Sequence, residues 1–330
     1  MNQDKTPLVT AVIPVYNHEE YVMESIRSVI DQSYPKIELI VIDDGSKDHS
    51  HEMVLTLVEE CKKRFSRFEY ISRENMGLAA TLNQALDMAK GKYFSPLASD
   101  DMVLPDKVSC LVEVMESTDD RCAAAIADAS FIDKLGQEIF LDSKGNIQPT
   151  KSAGTYSTWL EFYTRDRDFD YKTEVGLYRT LLSANYIPSL SALFRTACVK
   201  DVGGWTVGNV SEDWETWLKL TKDNTVVFVE DRVTALYRIH GQNSIDIIKD
   251  RMLQANLMLI VKEKEYCTRR GLMREWEKAF HGHLFGMLRY GNFPLEVKLH
   301  ELKRAELASF VGWVLTARCK TLLRNWQRRF

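Results

Sequence analysis

The chain has 330 residues, 45% of them hydrophobic, enough to bury one large core or two smaller ones. Its formal net charge of −4 leaves no electrostatic footprint for nucleic acid, so no nucleic-acid partner is expected. No run approaches the roughly 18 to 20 apolar residues that span a bilayer; Met1–Lys5 carry no apolar signal core and the six cysteines are scattered, so a reducing setting is expected, in the cytoplasm or attached to the cytoplasmic membrane face.

In chain order, Leu8–Val15 is a nearly continuous apolar run, and Glu20–Ile30 has helical spacing through Val22, Ile26, Val29 and Ile30. Ile37–Ile42 is a second apolar run; Met53–Phe65 places Val54, Leu57, Val58 and Cys61 on one helical face. Phe68–Ile71 reads as a strand, Leu78–Ala89 as a helix and Lys92–Leu97 as a fourth strand. Apolar strands alternating with helices predict an α/β fold, a mostly parallel sheet covered on both faces.

Beyond Pro105 the pattern loosens. It predicts a helix over Asp106–Ser117, a strand over Ala123–Ala127, a hairpin and loop over residues 131–155 and a helix over Thr155–Tyr163. Then come a strand over Ser189–Phe194, a Gly203-Gly204-Trp205 turn, a helix over Ser211–Leu220 and a strand over Thr225–Val229. From Asp250 the chain is helical and amphipathic, broken near Gly291–Pro294. The expected organisation is a domain over residues 1–245, with halves 1–105 and 106–245, and a helical extension over 246–330.

Ligands of an open parallel sheet bind at the carboxyl ends of its strands, and there the unusual polar residues fall. The first strand ends in Pro14-Val15-Tyr16-Asn17, the second in Asp43-Asp44-Gly45-Ser46, the third leads to Arg73-Glu74-Asn75-Met76-Gly77, and the fourth ends in Ser99-Asp100-Asp101. Asp43 and Asp44 can accept hydrogen bonds from a ribose or base. Ser46 can cap the next helix, Asn75 and Gly77 let a ligand approach backbone, and Arg73 can neutralise a phosphate. Adjacent carboxylates such as Asp100 and Asp101 repel unless a cation offsets them, and Mg²⁺ or Mn²⁺ fits. Taken singly, each motif also reads as a helix cap or solvated turn; together they make one site.

Thr10–Asn17 with Ile40–Ser46, then Asn75-Met76-Gly77 with Ala80 and Asn83, then Ser99-Asp100-Asp101 with Leu104-Pro105, resemble the motifs of the family 2 glycosyltransferases over roughly residues 8–240. Many members carry a further Asp where this chain has Ala98. The resemblance implies the GT-A fold and an inverting, metal-dependent sugar transfer from a nucleotide-sugar donor, a UDP-sugar by family frequency. Tyr16, Asp44 and Arg73 would hold the nucleoside, with Asp43 supporting the turn, and Asp101, assisted by Asp100, would hold Mn²⁺ or Mg²⁺. Ser211–Trp214 resembles the acceptor motif: Asp213 would be the catalytic base, beside Glu212 and Trp214. Tyr237–His240 resembles a late block whose His240 can touch metal or diphosphate.

Trp159, Phe162, Tyr163, Phe169, Tyr171 and Tyr178 read either as a sugar-stacking acceptor surface or as core. The C-terminal stretch pairs Phe310, Trp313, Trp326 and other apolar residues with Arg318, Lys320, Arg324, Arg328 and Arg329. It reads either as a helix on an anionic membrane face, which would suit a lipid-linked glycan acceptor in surface polysaccharide assembly, or as a helix docked on the catalytic domain. A dinucleotide oxidoreductase would need a G-x-G-x-x-G turn where this chain has Pro-Val-Tyr-Asn. A metal-dependent phosphohydrolase, and a non-catalytic nucleotide-sugar or glycan binding module on the same fold, remain alternatives.

Overall fold

The structure is a computed structural model that describes residues 6–165, 170–241, 243, 248–294 and 301. The stretch of residues 302–330, and with it the membrane-tail reading, lies outside the described residues, as does Phe169. No helix among the described residues is long and apolar enough to cross a membrane.

The chain is α/β. Strands β1 (Val9–Val15), β2 (Ile37–Asp43), β3 (Arg67–Ser72) and β4 (Tyr93–Pro96) alternate with helices α1 (Val22–Ile30), α2 (Ser50–Arg64) and α3 (Leu78–Met88). Then come β5 (Met102–Val103), α4 (Lys107–Glu116), β6 (Cys122–Asp133), β7 (Glu138–Asp142), β8 (Ile147–Gln148) and β9 (Thr155–Tyr156). Helices α5 (Trp159–Thr164) and α6 (Glu174–Leu181), strand β10 (Ala192–Arg195), α7 (Thr196–Asp201), α8 (Glu212–Leu220) and β11 (Thr225–Ile239) follow. The main sheet runs β3-β2-β1-β4-β10-β6-β11-β5. β1 pairs in parallel with both β2 and β4, so the strand order reverses beside β1, where an open sheet forms its ligand crevice.

The first half follows from apolar content. All seven residues of β2 are buried, as expected for a central strand covered on both faces. Even Glu38 is fully buried, satisfied by Thr10 Oγ1 at 2.5 Å, Arg67 at 2.9 Å and the Lys90 amide at 2.7 Å. Leaving such a carboxylate unpaired would be costly.

The second half departs from the sequence reading. β10 runs antiparallel between β4 and β6. β6 and β11 extend to Asp133 and Ile239, well past the predicted ends. The apolar pattern of β11 is interrupted by Glu230-Asp231-Arg232, where the register shifts and Asp231 adopts φ 54°; such a bulge hides a strand from pattern reading. The helix expected from Thr155 begins at Trp159, with Thr158 Oγ1 accepting from the Glu161 amide, while Thr155–Tyr156 pairs with β7. Ser189–Ser191 is a 3₁₀ turn ahead of β10, and α6, α7 and β5 went unpredicted.

The chain divides into two units. One holds the described residues up to Leu181 and from Asn185 to Gly241; the other holds Leu182–Ala184 and the described residues from Asn243 onward. In the second, helices α9 (Lys249–Lys262), α10 (Lys264–Arg269) and α11 (Met273–Tyr290) pack together. Trp276 stacks on Phe280 with centroids 5.0 Å apart and donates its indole N–H to the Ile260 carbonyl.

Candidate active site at the carboxyl ends of the strands

The end of β1 and the end of β2 are tied to each other. Asn17, at φ 53°, donates its amide to Ser46 Oγ at 3.0 Å and accepts from the Lys47 amide at 2.7 Å. Ser46 therefore braces the β1 end and does not cap α2, whose N-cap is His49. Pro14 lines the cavity described below, and Tyr16 is 46% exposed.

Asp43 accepts from the Ser46 amide and Ser72 Oγ, both at 3.0 Å. Buried Asp44 takes the amides of Met76 at 2.7 Å and Gly77 at 2.8 Å and an ion pair from Arg73. The rest of the Arg73 guanidinium is spent on Gln84, Thr81 and the Glu74 carbonyl, each at 2.8 Å. The donors of Arg73 thus fasten Asp44 and the loop before α3. Gly45 lets the β2 end touch this loop, since a Cβ there would lie 2.7 Å from the Asn75 amide. Gly77, at φ 87°, opens α3 in a conformation that favours glycine, and Asn75 is exposed beside it.

Asp100 and Asp101 diverge. Asp101 is buried, accepts the Arg238 amide at 2.9 Å and lines the cavity. Burial, then the neighbouring Asp100 charge, push its pKa well above the usual carboxylate range. Asp100 turns to two histidines: His240 Nε2 stands 3.1 Å and His18 Nε2 3.9 Å from Asp100 Oδ2. Burial works against the Asp100 charge, yet the His240 hydrogen bond and the two imidazoles together hold its pKa below the ordinary value. For His18, burial outweighs Asp100 and lowers the pKa. Ligand atoms of His18, Asp100 and His240 all lie within 4.8 Å of one another. Asp100, not Asp101, meets His240. Arg238, 1% exposed, fixes this turn from below, its Nε donating to the Asp100 carbonyl at 2.8 Å and its other end reaching Glu24 at 2.6 Å.

A cavity of about 210 Å³ opens beside Asp101, lined among others by Pro14, Leu78, Trp159, Trp205, Glu212, Asp213 and Tyr237. Two motifs far apart in sequence shape it. Asn83 on α3 accepts from the Trp205 amide at 2.9 Å and donates to its carbonyl at 2.7 Å, so the Gly203-Gly204-Trp205 turn is fastened to α3. Asp213 sits in the first turn of α8, with Asn185 Nδ2 donating to its Oδ2 at 2.8 Å. Burial raises the Asp213 pKa against the hydrogen bonds of the Trp214 amide and Asn185. Burial and then the Asp213 charge push Glu212 up to about 8. Both carboxyls of the pair are thus pushed upward by burial, and both line the cavity beside its apolar wall.

Trp214 is corrected. It is 2% exposed, with its indole N–H on the Leu181 carbonyl at 2.8 Å, and belongs to the core, not to an acceptor surface. Of the aromatic stretch, Trp159 and Tyr237 pack at 5.0 Å along the cavity, whereas Tyr178 is buried and Tyr171 packs on Phe228. Sequence reasoning missed His18, Asn185 and Arg238. His18 directly follows Tyr16-Asn17 at a strand end already singled out; nothing local marks Asn185.

The profile for glycosyl transferase family 2 matches residues 10–176. An uncharacterised glycosyltransferase of Rickettsia prowazekii is 33% identical over 72% of this chain and 65% of its own length; one of Rickettsia typhi is 26% identical over 71% and 65%. The matches thus span about two thirds or less of these relatives. Among solved structures, TarS residues 1–349 of S. aureus with UDP-GlcNAc aligns at TM-score 0.60 and 17% identity over 93% of this chain and 81% of that one. A mannosyltransferase of Pyrobaculum calidifontis with GDP-Man and Mn²⁺ aligns at 0.56 and 16% over 94% and 86%. At such identities the likeness speaks for the fold, which is that of GT-A glycosyltransferases.

Proposed function

The chain belongs to glycosyl transferase family 2, and on that premise we propose that it moves a sugar from a nucleoside diphosphate, in the first instance UDP, onto a glycan hydroxyl with inversion. A lipid-linked acceptor in surface polysaccharide assembly is part of the proposal. The observation that carries it is the cavity shared by Asp101 and Asp213: a carboxylate poised to accept a proton stands in the same apolar space as the acidic strand end.

Asp213 takes the proton of the acceptor hydroxyl as that oxygen attacks the anomeric carbon from the face opposite the diphosphate. A positioned base of this kind contributes about 10²–10⁴-fold, most when its pKa approaches the working pH. Burial moves Asp213 in that direction, and Asn185 on its Oδ2 with the Trp214 amide on its Oδ1 fixes the carboxylate beside the cavity. Glu212, kept neutral beside it, adds no second charge against the approaching hydroxyl. The loop pinned by Asp44, with the exposed Tyr16 ring, offers the nucleoside a wall. The nitrogen and oxygen donors of His240 and Asp100 fit a divalent cation. Those two residues would hold it, and it would supply positive charge to the leaving diphosphate.

The test is release of nucleoside diphosphate from a panel of nucleotide sugars with acceptor present, for wild type, Asp100→Ala and Asp213→Asn. Acceptor-dependent release lost in both variants supports the proposal. Donor binding without release from any donor–acceptor pair would favour a binding module.

A further inference from the structure

We propose that His18 is a third ligand of the cation site and makes it select a transition-metal divalent ion over Mg²⁺. The inference rests on the cation reading of Asp100 and His240 given above. His18 lies in the loop between β1 and α1, and three contacts fix its ring. Its backbone amide donates to Ser50 Oγ at 2.9 Å, its Nδ1 is bonded to Ser99 Oγ at 2.8 Å, and its ring stands edge-on to His240 with centroids 5.9 Å apart. With Nδ1 engaged, Nε2 is the nitrogen presented to Asp100 Oδ2. A ring nitrogen held by a hydrogen bond while the other faces the ion is the usual outer support of a metal-binding histidine.

The three side chains come from the three places that build the crevice: the end of β1, the turn after β4 and the end of β11. Their ligand atoms lie within 4.8 Å of one another, and ligands about 2.1 Å from one ion stand roughly 3 to 4 Å apart. His18 is 25% exposed in its side chain, Asp100 12% and His240 3%, so the cluster opens on the His18 side, where further ligand positions face outward. Two imidazoles and one carboxylate suit Mn²⁺, Fe²⁺, Co²⁺ or Zn²⁺. Mg²⁺ demands oxygen ligands and keeps its waters. A site of Asp100 and one histidine discriminates less; His18 supplies the difference.

The experiment uses the full chain without any sugar donor, with Co²⁺ and Mg²⁺ as probes followed by calorimetry and by the paramagnetically shifted imidazole resonances of the Co²⁺ form. Wild type is expected to bind Co²⁺ at least roughly tenfold more tightly than Mg²⁺ and to show two shifted imidazoles. His18→Gln should lose roughly tenfold or more in Co²⁺ affinity, keep its Mg²⁺ affinity and show one. Ser99→Ala keeps the ring but frees its Nδ1, and should lose part of the Co²⁺ affinity with both imidazoles still shifted. Equal Co²⁺ and Mg²⁺ affinities in wild type, or unchanged Co²⁺ binding and two shifted imidazoles in His18→Gln, would overturn the proposal. Asp100→Asn separates the two levels. Unchanged binding of both ions there would remove the cation reading itself, whereas loss of both with His18→Gln unaffected would remove only His18.

Discussion

Asn185 donates to Asp213 Oδ2 at 2.8 Å across 28 positions of sequence, and it is the one side-chain amide bonded to that carboxylate among the described residues. The bond lowers a pKa that burial raises. Removing it has two consequences with different readouts. Asn185→Ala should reduce kcat by roughly 10- to 100-fold, the scale of a hydrogen bond to a charged group. It should also move the acid limb of the kcat profile to higher pH. A loss of kcat with an unmoved limb would mean that Asn185 acts on packing alone.

The pH dependence of wild type follows from the same pair. Asp213 accepts a proton only when ionised, and its pKa is raised. Activity should therefore climb with pH along a limb above the ordinary aspartate value of about 4. Glu212→Gln exchanges a neutral carboxyl for a neutral amide, so the limb set by Asp213 should stay where it is. Stability runs the opposite way. The folded pKa of Glu212, about 8, lies above its unfolded value, so its neutral form stabilises the fold fully below that unfolded value and loses this as pH rises towards 8. Wild type should lose more stability than Glu212→Gln between about pH 5 and 9, measured by urea unfolding at each pH.

Asp44 holds the loop before α3 through two amides and Arg73. Asp44→Ala strands a largely buried guanidinium and should cost about 3–5 kcal/mol in urea unfolding. Arg73→Gln should cost similarly, and the double variant less than the sum, because the two changes remove one interaction. Simple additivity would mean that the pair does not couple.

Much of the first half was legible because parallel strands buried on both faces write themselves as apolar runs, and the polar residues that end them stand out. The strand ends at Asp43-Asp44 and Asp100-Asp101 were found for that reason. What each carboxylate does was not legible, since direction depends on partners far away: Asp101 is claimed by the Arg238 amide and Asp100 by His240, both more than a hundred residues on. The placement of Trp214 follows from helical spacing. On α8, Asp213, Thr216 and Trp217 share the cavity face at helical spacing, which turns Trp214 and Leu218 into the core. The part of β11 beyond Val229 was hidden by the charged bulge that interrupts the strand.

The corrected placement of Trp214 gives a sharp contrast. Trp214→Phe leaves the Leu181 carbonyl without its indole donor and should cost about 1–3 kcal/mol of stability with the acceptor KM unchanged. Trp159→Ala, at the cavity wall, should raise the acceptor KM. A Trp214→Phe protein of normal stability and raised KM would return Trp214 to the acceptor surface.

The central claim is that Asp213 drives a single displacement at the anomeric carbon. It is tested most directly by proton NMR of the transferred sugar, comparing the anomeric configuration of product with that of donor for wild type and Asp213→Asn. The account predicts inverted product from wild type and a rate lower by about 10²–10⁴-fold in the variant. Retained configuration, or an Asp213→Asn protein that turns over at the wild-type rate, would contradict it.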